Sequence, residues 1–175
     1  MNQDKSYELL VVTGMSGAGR STVGNALEDM DWYVVDNLPP QMIKPMAELF
    51  SHADKNLPKL AVIIDARGGE FFTDLAETID QLRSSNINVE VLFLEASDQA
   101  LVKRFEQVRR PHPLQATGTI TDGIQAERQR LLMLREKADY VIDSSDLNVH
   151  QLAQKISESF SSKGFDGVES HDSKF

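Results

Sequence analysis

An eight-residue turn constrains this chain more than any other feature. Gly14-Met15-Ser16-Gly17-Ala18-Gly19-Arg20-Ser21 follows the apolar run Tyr7 to Thr13. It precedes Ser21 to Met30, where Val23, Ala26, Leu27 and Met30 recur at helical spacing. The turn matches G-x-x-x-x-G-K-[ST] at every defined position except the seventh, where arginine replaces lysine. A strand before and a helix after are the setting that this pattern needs. Glycines let successive backbone N–H groups turn inward around a phosphate, and the helix N-terminus adds a positive dipole end. The alternative reading of such a stretch is a Gly-rich strand-to-helix turn with no ligand.

On the phosphate reading, residues 14 to 21 all contribute to the cradle. The Ser21 hydroxyl is expected on Mg²⁺ and Arg20 is the expected cation at the β and γ phosphates, in a catalytic role. A guanidinium is planar, bidentate and permanently charged, whereas a lysine ammonium is a compact point charge. Binding is therefore expected to tolerate arginine better than transition-state stabilisation does.

The rest of the chain alternates apolar runs with helical patterns. Strands are expected at Trp32 to Val35, Lys59 to Asp65, Asn88 to Glu95 and Tyr140 to Asp143. Helices are expected from Gln41 to Ser51 (started or interrupted by Pro45), Phe71 to Ser84, Ser97 or Asp98 to Val108, Thr121 or Asp122 to Lys137, and Asn148 to Phe160. Pro111, Pro113 and Gly118 mark residues 109 to 119 as a loop. This order predicts an α/β fold of the P-loop NTPase type, with a five-stranded, mostly parallel sheet and helices on both faces, kinase-like. One domain over 7 to 160 and a disordered tail over 161 to 175 are expected.

Ligands of such sheets bind at the carboxyl ends of the strands, so the turns after the first three strands should meet in one crevice. Two of those turns are acidic. Ala61 to Asp65 is an apolar strand ending in an acid, a Walker B pattern, and Asp65 is expected to hold Mg²⁺ as a second catalytic residue. Asp65-Ala66-Arg67-Gly68 also fits D-x-x-G, in which the glycine N–H reaches a γ-phosphate. A strand-ending Asp is otherwise only a turn residue. Asp36 and Asn37 end the second strand, either facing an acceptor or making an Asx turn before Pro39. No N-K-x-D guanine-reading motif occurs.

Composition narrows the functional classes. The chain has no cysteine, which excludes disulfides, thiolate catalysis and cysteine-ligated metal. No apolar run approaches a membrane span, and the N-terminus does not read as a secretory signal, so the expected location is cytoplasmic with no membrane partner. A net charge of −9 argues against a chain that coats nucleic acid. Residues 103 to 137 run against that balance, with eight Lys and Arg and four acids. An arginine-rich helix–loop–helix here looks like the lid of a small kinase, with Arg104, Arg109 or Arg110 as lid cations and Arg128 and Arg135 sharing a helix face. The alternative is surface ion pairing with Glu106, Glu127 and Glu136.

Taken in order, "GMSGAGRS", "LEDMDWYVVDNLPP", "VIIDARGGEFF", "VLFLEASDQALVKRFEQVRRPHPL", "ITDGIQAER" and "ADYVIDSSDLNVHQL" resemble the RapZ/YvcJ family of bacterial P-loop nucleotide-binding proteins. "VDNLPP" and "RRPHPL" are more specific to that family than the P-loop, and "GAGRS" with arginine looks like its actinobacterial branch. The resemblance implies binding of ATP and GTP and slow hydrolysis of both; together with the Mg²⁺ expected at Ser21 and Asp65, this reads as a regulatory nucleotide-binding domain with a protein partner. It assigns nucleotide contacts to Gly14, Met15, Ser16, Gly17, Ala18, Gly19, Arg20 and Ser21, and to Asp65, Ala66, Arg67 and Gly68. The family's usual residue at the last of these positions is Asn. Members also carry a C-terminal domain, which in the adapter branch binds small RNA. Such a domain is not found in the sequence up to Phe175, so RNA binding is not expected of this stretch. Two alternatives stand beside this reading: a small-molecule kinase of the P-loop class, and a non-catalytic nucleotide or metabolite sensor.

Overall fold

The computed structural model describes residues 7–51, 59–65, 69–85, 87–108 and 119–160. The elements in chain order are β1 (Tyr7–Gly14), α1 (Arg20–Asp29), β2 (Tyr33–Asp36), α2 (Pro40–Ser51), β3 (Leu60–Ile63), α3 (Gly69–Arg83), β4 (Ile87–Glu95), α4 (Asp98–Val108), α5 (Ile120–Lys137), β5 (Tyr140–Asp143) and α6 (Val149–Ser159). The sheet order is β2-β3-β1-β4-β5, and each pairing is parallel.

Parallel strands need crossover helices, and those crossovers are right-handed. From β1 the chain moves outward to β2, then reverses to β3, β4 and β5. The reversal puts α1 on one face and α2, α3 and α5 on the other. Contacts agree: α1 packs with α6, α2 with α3, and α3 with α5. A strand covered on both faces does not alternate, and Leu9, Leu10, Val11 and Val12 of β1 are all fully buried. Each such side chain contributes about 1.5–3 kcal/mol through burial. This dry central strand carries the Gly-rich turn at its carboxyl end.

Several helix starts differ by a few residues from the sequence expectation, those of α2 and α5 among them. α2 begins at Pro40 and runs through Pro45. A proline at the first helical position has its φ already set, while Pro45 removes one intrahelical bond. Ile43 and Ala47, both fully buried, hold the helix on either side of that gap. α5 begins earlier than Thr121 or Asp122: Thr119 is its N-cap, accepting from the Asp122 N–H at 3.1 Å while the Asp122 carboxylate accepts from the Thr119 N–H at 3.0 Å. This reciprocal pair satisfies two otherwise open donors. Asn148 and Gln151 do the same for α6.

At the far end of the sheet from the turn, the fully buried Phe160 ring meets Trp32 edge-on at 6.4 Å and Tyr140 at 5.2 Å. That cluster ties the end of α6 to the starts of β2 and β5. The expected tail, 161 to 175, lies outside the described residues, as do Ala66, Arg67 and Gly68 and the expected loop, 109 to 119, except for its last residue, the cap Thr119.

Candidate nucleotide site

The turn after β1 is shaped by what holds its carbonyl groups. β1 ends against β4, where the Met15 N–H donates to the Leu94 carbonyl at 2.9 Å. The Met15 carbonyl then accepts from the Ala18 N–H at 3.1 Å. The Gly17 carbonyl accepts from Arg104 Nη1 at 2.9 Å, and the Ala18 carbonyl from the Ser144 hydroxyl at 2.7 Å. In a trans peptide the next N–H points away from the carbonyl before it. Drawing the Ala18 carbonyl toward Ser144 therefore turns the Gly19 N–H to the opposite side.

The Gly19 carbonyl enters α1, accepting from the Val23 N–H at 3.1 Å, which leaves the first-turn N–H groups at the loop mouth. Gly19 is the N-cap of α1 and supplies no side-chain cap, and α1 has no acidic residue in its first turn. The helix thus presents open donors and a positive dipole end, with nothing of its own to neutralise them. Gly19 itself has φ +117, and a Cβ there would lie 2.6 Å from Leu152 Cδ2. Its lack of a side chain lets α6 close against the loop.

Arg104 occupies a different position from the lid expected of it. On α4, it donates to Gly17 and also to the Ser144 hydroxyl (3.1 Å) and Ser144 carbonyl (2.6 Å), clamping the loop to the turn after β5. Arg128 and Arg135 of α5 are ion-paired with Asp98 and Glu95, acids of α4 and β4. Arg128 Nε meets Asp98 at 2.8 Å and its Nη2 donates to the Ala96 carbonyl. Arg135 grips Glu95 with two bonds of 2.8 and 3.1 Å, which raises its pKa above the ordinary arginine value. Arg109 and Arg110 lie outside the described residues.

Arg20 and Asp65 face each other. Arg20 Nη1 lies 3.5 Å from Asp65 Oδ1 and donates to the Ile64 carbonyl at 3.1 Å, with both side chains about one-fifth exposed. The expected phosphate cation thus pairs with the expected metal ligand, the Ser21 side chain being exposed at the start of α1. β3 ends at Ile63, two residues before Asp65, and the Ile64 N–H still reaches Val12 at 2.9 Å. Asp36, exposed at the end of β2, is in register with Ile63, so the turns after β1, β2 and β3 are neighbours as the topology required. Asn37, at φ +62, donates its N–H to the Ile63 carbonyl at 2.9 Å.

A cavity of about 390 Å³ adjoins the loop, lined by Gly17, Gly19, Thr22, Arg104, Ser144, Asn148 and the apolar side chains of Leu147, Val149 and Leu152. The sequence reading did not find this wall. Its signal was topological: Ser144 and Asn148 follow the carboxyl end of β5, on the same rim as the turn. Glu127 was also read as a surface acid, yet it is 1% exposed and accepts from Ser16. Its signal was periodic, since Ile124, Glu127, Leu131 and Leu134 share one buried helix face.

The chain is similar to known proteins in both sequence and fold. The chain is similar to a nucleotide-binding protein of Leifsonia xyli subsp. xyli, with 61% identity over 89% of this chain and 52% of that protein. A nucleotide-binding protein of Clavibacter michiganensis subsp. michiganensis is 60% identical over 92% of this chain and 55% of its own length. The chain therefore spans about half the length of the curated relatives it matches. Among solved structures, shikimate kinase from Acinetobacter baumannii superposes with a TM-score of 0.57 at 19% identity, over 88% of this chain and 93% of that one. That likeness shows the fold, a P-loop kinase-like sheet. The model of the RapZ-like N-terminal domain matches residues 7–164, and the chain belongs to that family.

Proposed function

We propose that this chain binds ATP and GTP, with the triphosphate on the turn 14–21 and the nucleoside in the adjoining cavity, and hydrolyses both slowly with Mg²⁺. The observation that carries this reading is the outward pull on the Gly17 and Ala18 carbonyls above an uncapped helix N-terminus. That arrangement suits an anion with several oxygens. The relatives' description as nucleotide-binding supports it. The cavity offers apolar surface from Leu147, Val149 and Leu152 for a base, and no carboxylate lines it among the described residues. Guanine-specific sites place an acid against the base's N–H groups; without one, either purine is accepted.

The residues present fit Mg²⁺ through Asp65 and Ser21, a carboxylate and a hydroxyl, both hard oxygen donors. Bound there, the ion would neutralise charge on the phosphates. Arg20 must first leave Asp65, so one movement frees the carboxylate and delivers the guanidinium toward the phosphates. A partly exposed pair of this kind is worth about 0–1 kcal/mol, little enough for a triphosphate to displace. No general base stands beside this pair among the described residues, which suits slow, regulatory turnover in the cytoplasm rather than rapid catalysis. Ala66, Arg67 and Gly68 complete the proposed contacts, and a regulatory protein partner would read the bound state.

A second reading, a small-molecule kinase, is favoured by Asp36, exposed at the end of β2 beside β3. Titration calorimetry with ATP and GTP tests binding, and phosphate release by wild type, Arg20→Lys and Asp65→Ala tests turnover. The expectation is that both nucleotides bind, that turnover needs Mg²⁺, and that Asp65→Ala abolishes it. Binding without release would select a sensor, stimulation by an acceptor a kinase. Absence of any nucleotide binding would overturn the proposal.

A further inference from the structure

Glu127 spends a buried carboxylate on one residue of the phosphate loop. It lies on α5, 111 residues from Ser16 in sequence, and both are buried, at 1% and 5% exposure. Both carboxylate oxygens accept from the Ser16 N–H at 3.1 Å, and Oε2 also accepts from the Ser16 hydroxyl at 2.8 Å. Taking a carboxylate out of water is costly, and apolar packing would join α5 to the loop at least as well. What apolar packing does not supply is an acceptor-only group for two donors of one residue. An amide in its place offers a single oxygen and brings its own N–H groups.

The consequence runs along the backbone. Pointing the Ser16 N–H at α5 points the Met15 carbonyl, across the same planar peptide, the other way. There it accepts the Ala18 N–H, which closes the turn that presents Gly17 and Gly19. α5 is itself anchored: Arg128 on Asp98, Arg135 on Glu95, and Lys137 on Asp80 at 2.9 Å. The loop is thereby referenced to a fixed helix.

We propose that Glu127 is a positioning residue for triphosphate binding: through Ser16 it sets the peptide planes of residues 15–18 and so preorganises the N–H groups of the cradle. This rests on the nucleotide reading above. Preorganised donors spare a ligand the cost of ordering them. Loss of the acceptor is therefore expected to weaken Mg·ATP and Mg·GTP binding about tenfold in Glu127→Gln and about threefold in Ser16→Ala. The double variant should be no weaker than Glu127→Gln alone, because the two residues act as one unit.

The test is titration calorimetry with Mg·ATP and Mg·GTP on wild type and the three variants, at a temperature where urea melts show each to be folded. Amide hydrogen exchange supplies a readout that simple loss of stability would not move. In Glu127→Gln, exchange should quicken at Ser16 to Ser21 while the amides of β1 and α6 stay protected. Additive losses, or affinities within twofold of wild type in both single variants, overturn the proposal. So does exchange that quickens uniformly. Should Glu127→Gln fail to fold, Ser16→Ala decides alone, threefold weakening supporting the proposal and unchanged affinity ending it. Wild type that binds neither nucleotide overturns the nucleotide reading itself, and this one with it.

Discussion

Gly14 is the residue whose replacement the structure punishes most clearly. A Cβ built there would lie 2.3 Å from the Leu94 carbonyl oxygen, 2.6 Å from its nitrogen and 2.9 Å from its carbonyl carbon. All three are backbone atoms of β4, so no rotamer change relieves the overlap. The residue also sits at φ +144, where a side chain adds about 1–3 kcal/mol of strain. Separating β1 from β4 by about 1 Å would lose the Met15-to-Leu94 hydrogen bond, about 1 kcal/mol, and disturb a core that resists overpacking by about 1–3 kcal/mol. The expected cost of Gly14→Ala is about 4 kcal/mol, a large share of the roughly 5–15 kcal/mol that holds a domain folded.

Gly24 is the control. Its added Cβ would lie 2.6 Å from Ile63 Cδ1, the free end of a side chain, and alanine favours a helix by about 1 kcal/mol over glycine. Gly24→Ala should therefore stay within about 1 kcal/mol of wild type. Urea unfolding followed by circular dichroism, with m-values compared, measures both. Gly14→Ala within 1 kcal/mol of wild type, or no less stable than Gly24→Ala, would show that the two strands are not held as described.

Three further outcomes are expected. Phe160→Ala removes a fully buried ring that touches Trp32 and Tyr140, and should cost about 3–5 kcal/mol by the same melts; under 1 kcal/mol would mean the end of α6 is not docked. The Thr13 hydroxyl is buried without a hydrogen-bond partner among the described residues, so Thr13→Val should be neutral or stabilising by up to about 1 kcal/mol, read as a melting temperature no lower than wild type. Arg104→Ala cuts three hydrogen bonds between the loop and the turn after β5, and should lower stability by about 2 kcal/mol while weakening ATP and GTP together. A loss of affinity for one nucleotide alone would instead point to base reading by Arg104.

Much of the architecture was legible because it rests on local signals. Apolar runs of strand length alternate with helical periods, and that alternation leaves a parallel sheet as the solution. β5 and the start of α4 fell where the pattern put them. α2 fell there too, at Pro40–Ser51, but that it runs through Pro45 rather than starting there was decided from outside, by the buried Ile43 and Ala47. The cap of α5 was missed for a similar reason: Thr119, Thr121 and Asp122 are all good caps, and only the geometry of the preceding chain chooses among them.

The site divides along the same line. The sequence by itself determined that a glycine-rich turn ends a strand and opens a helix, because close backbone approach and uncapped N–H groups are properties of consecutive residues. It also determined that Asp65 follows closely on a neighbouring strand, although β3 itself stops at Ile63. Which way each side chain turns was decided by contacts between residues far apart in the chain. Arg104 reaches Gly17 and Ser144 rather than a lid, and Glu127 is buried against Ser16 rather than lying on the surface. Arg20 rests on Asp65, a pairing over 45 positions that exists only because β1 and β3 lie side by side. Charge and hydrogen bonding act at a few ångströms, and a linear chain does not say which of its distant groups will come that close.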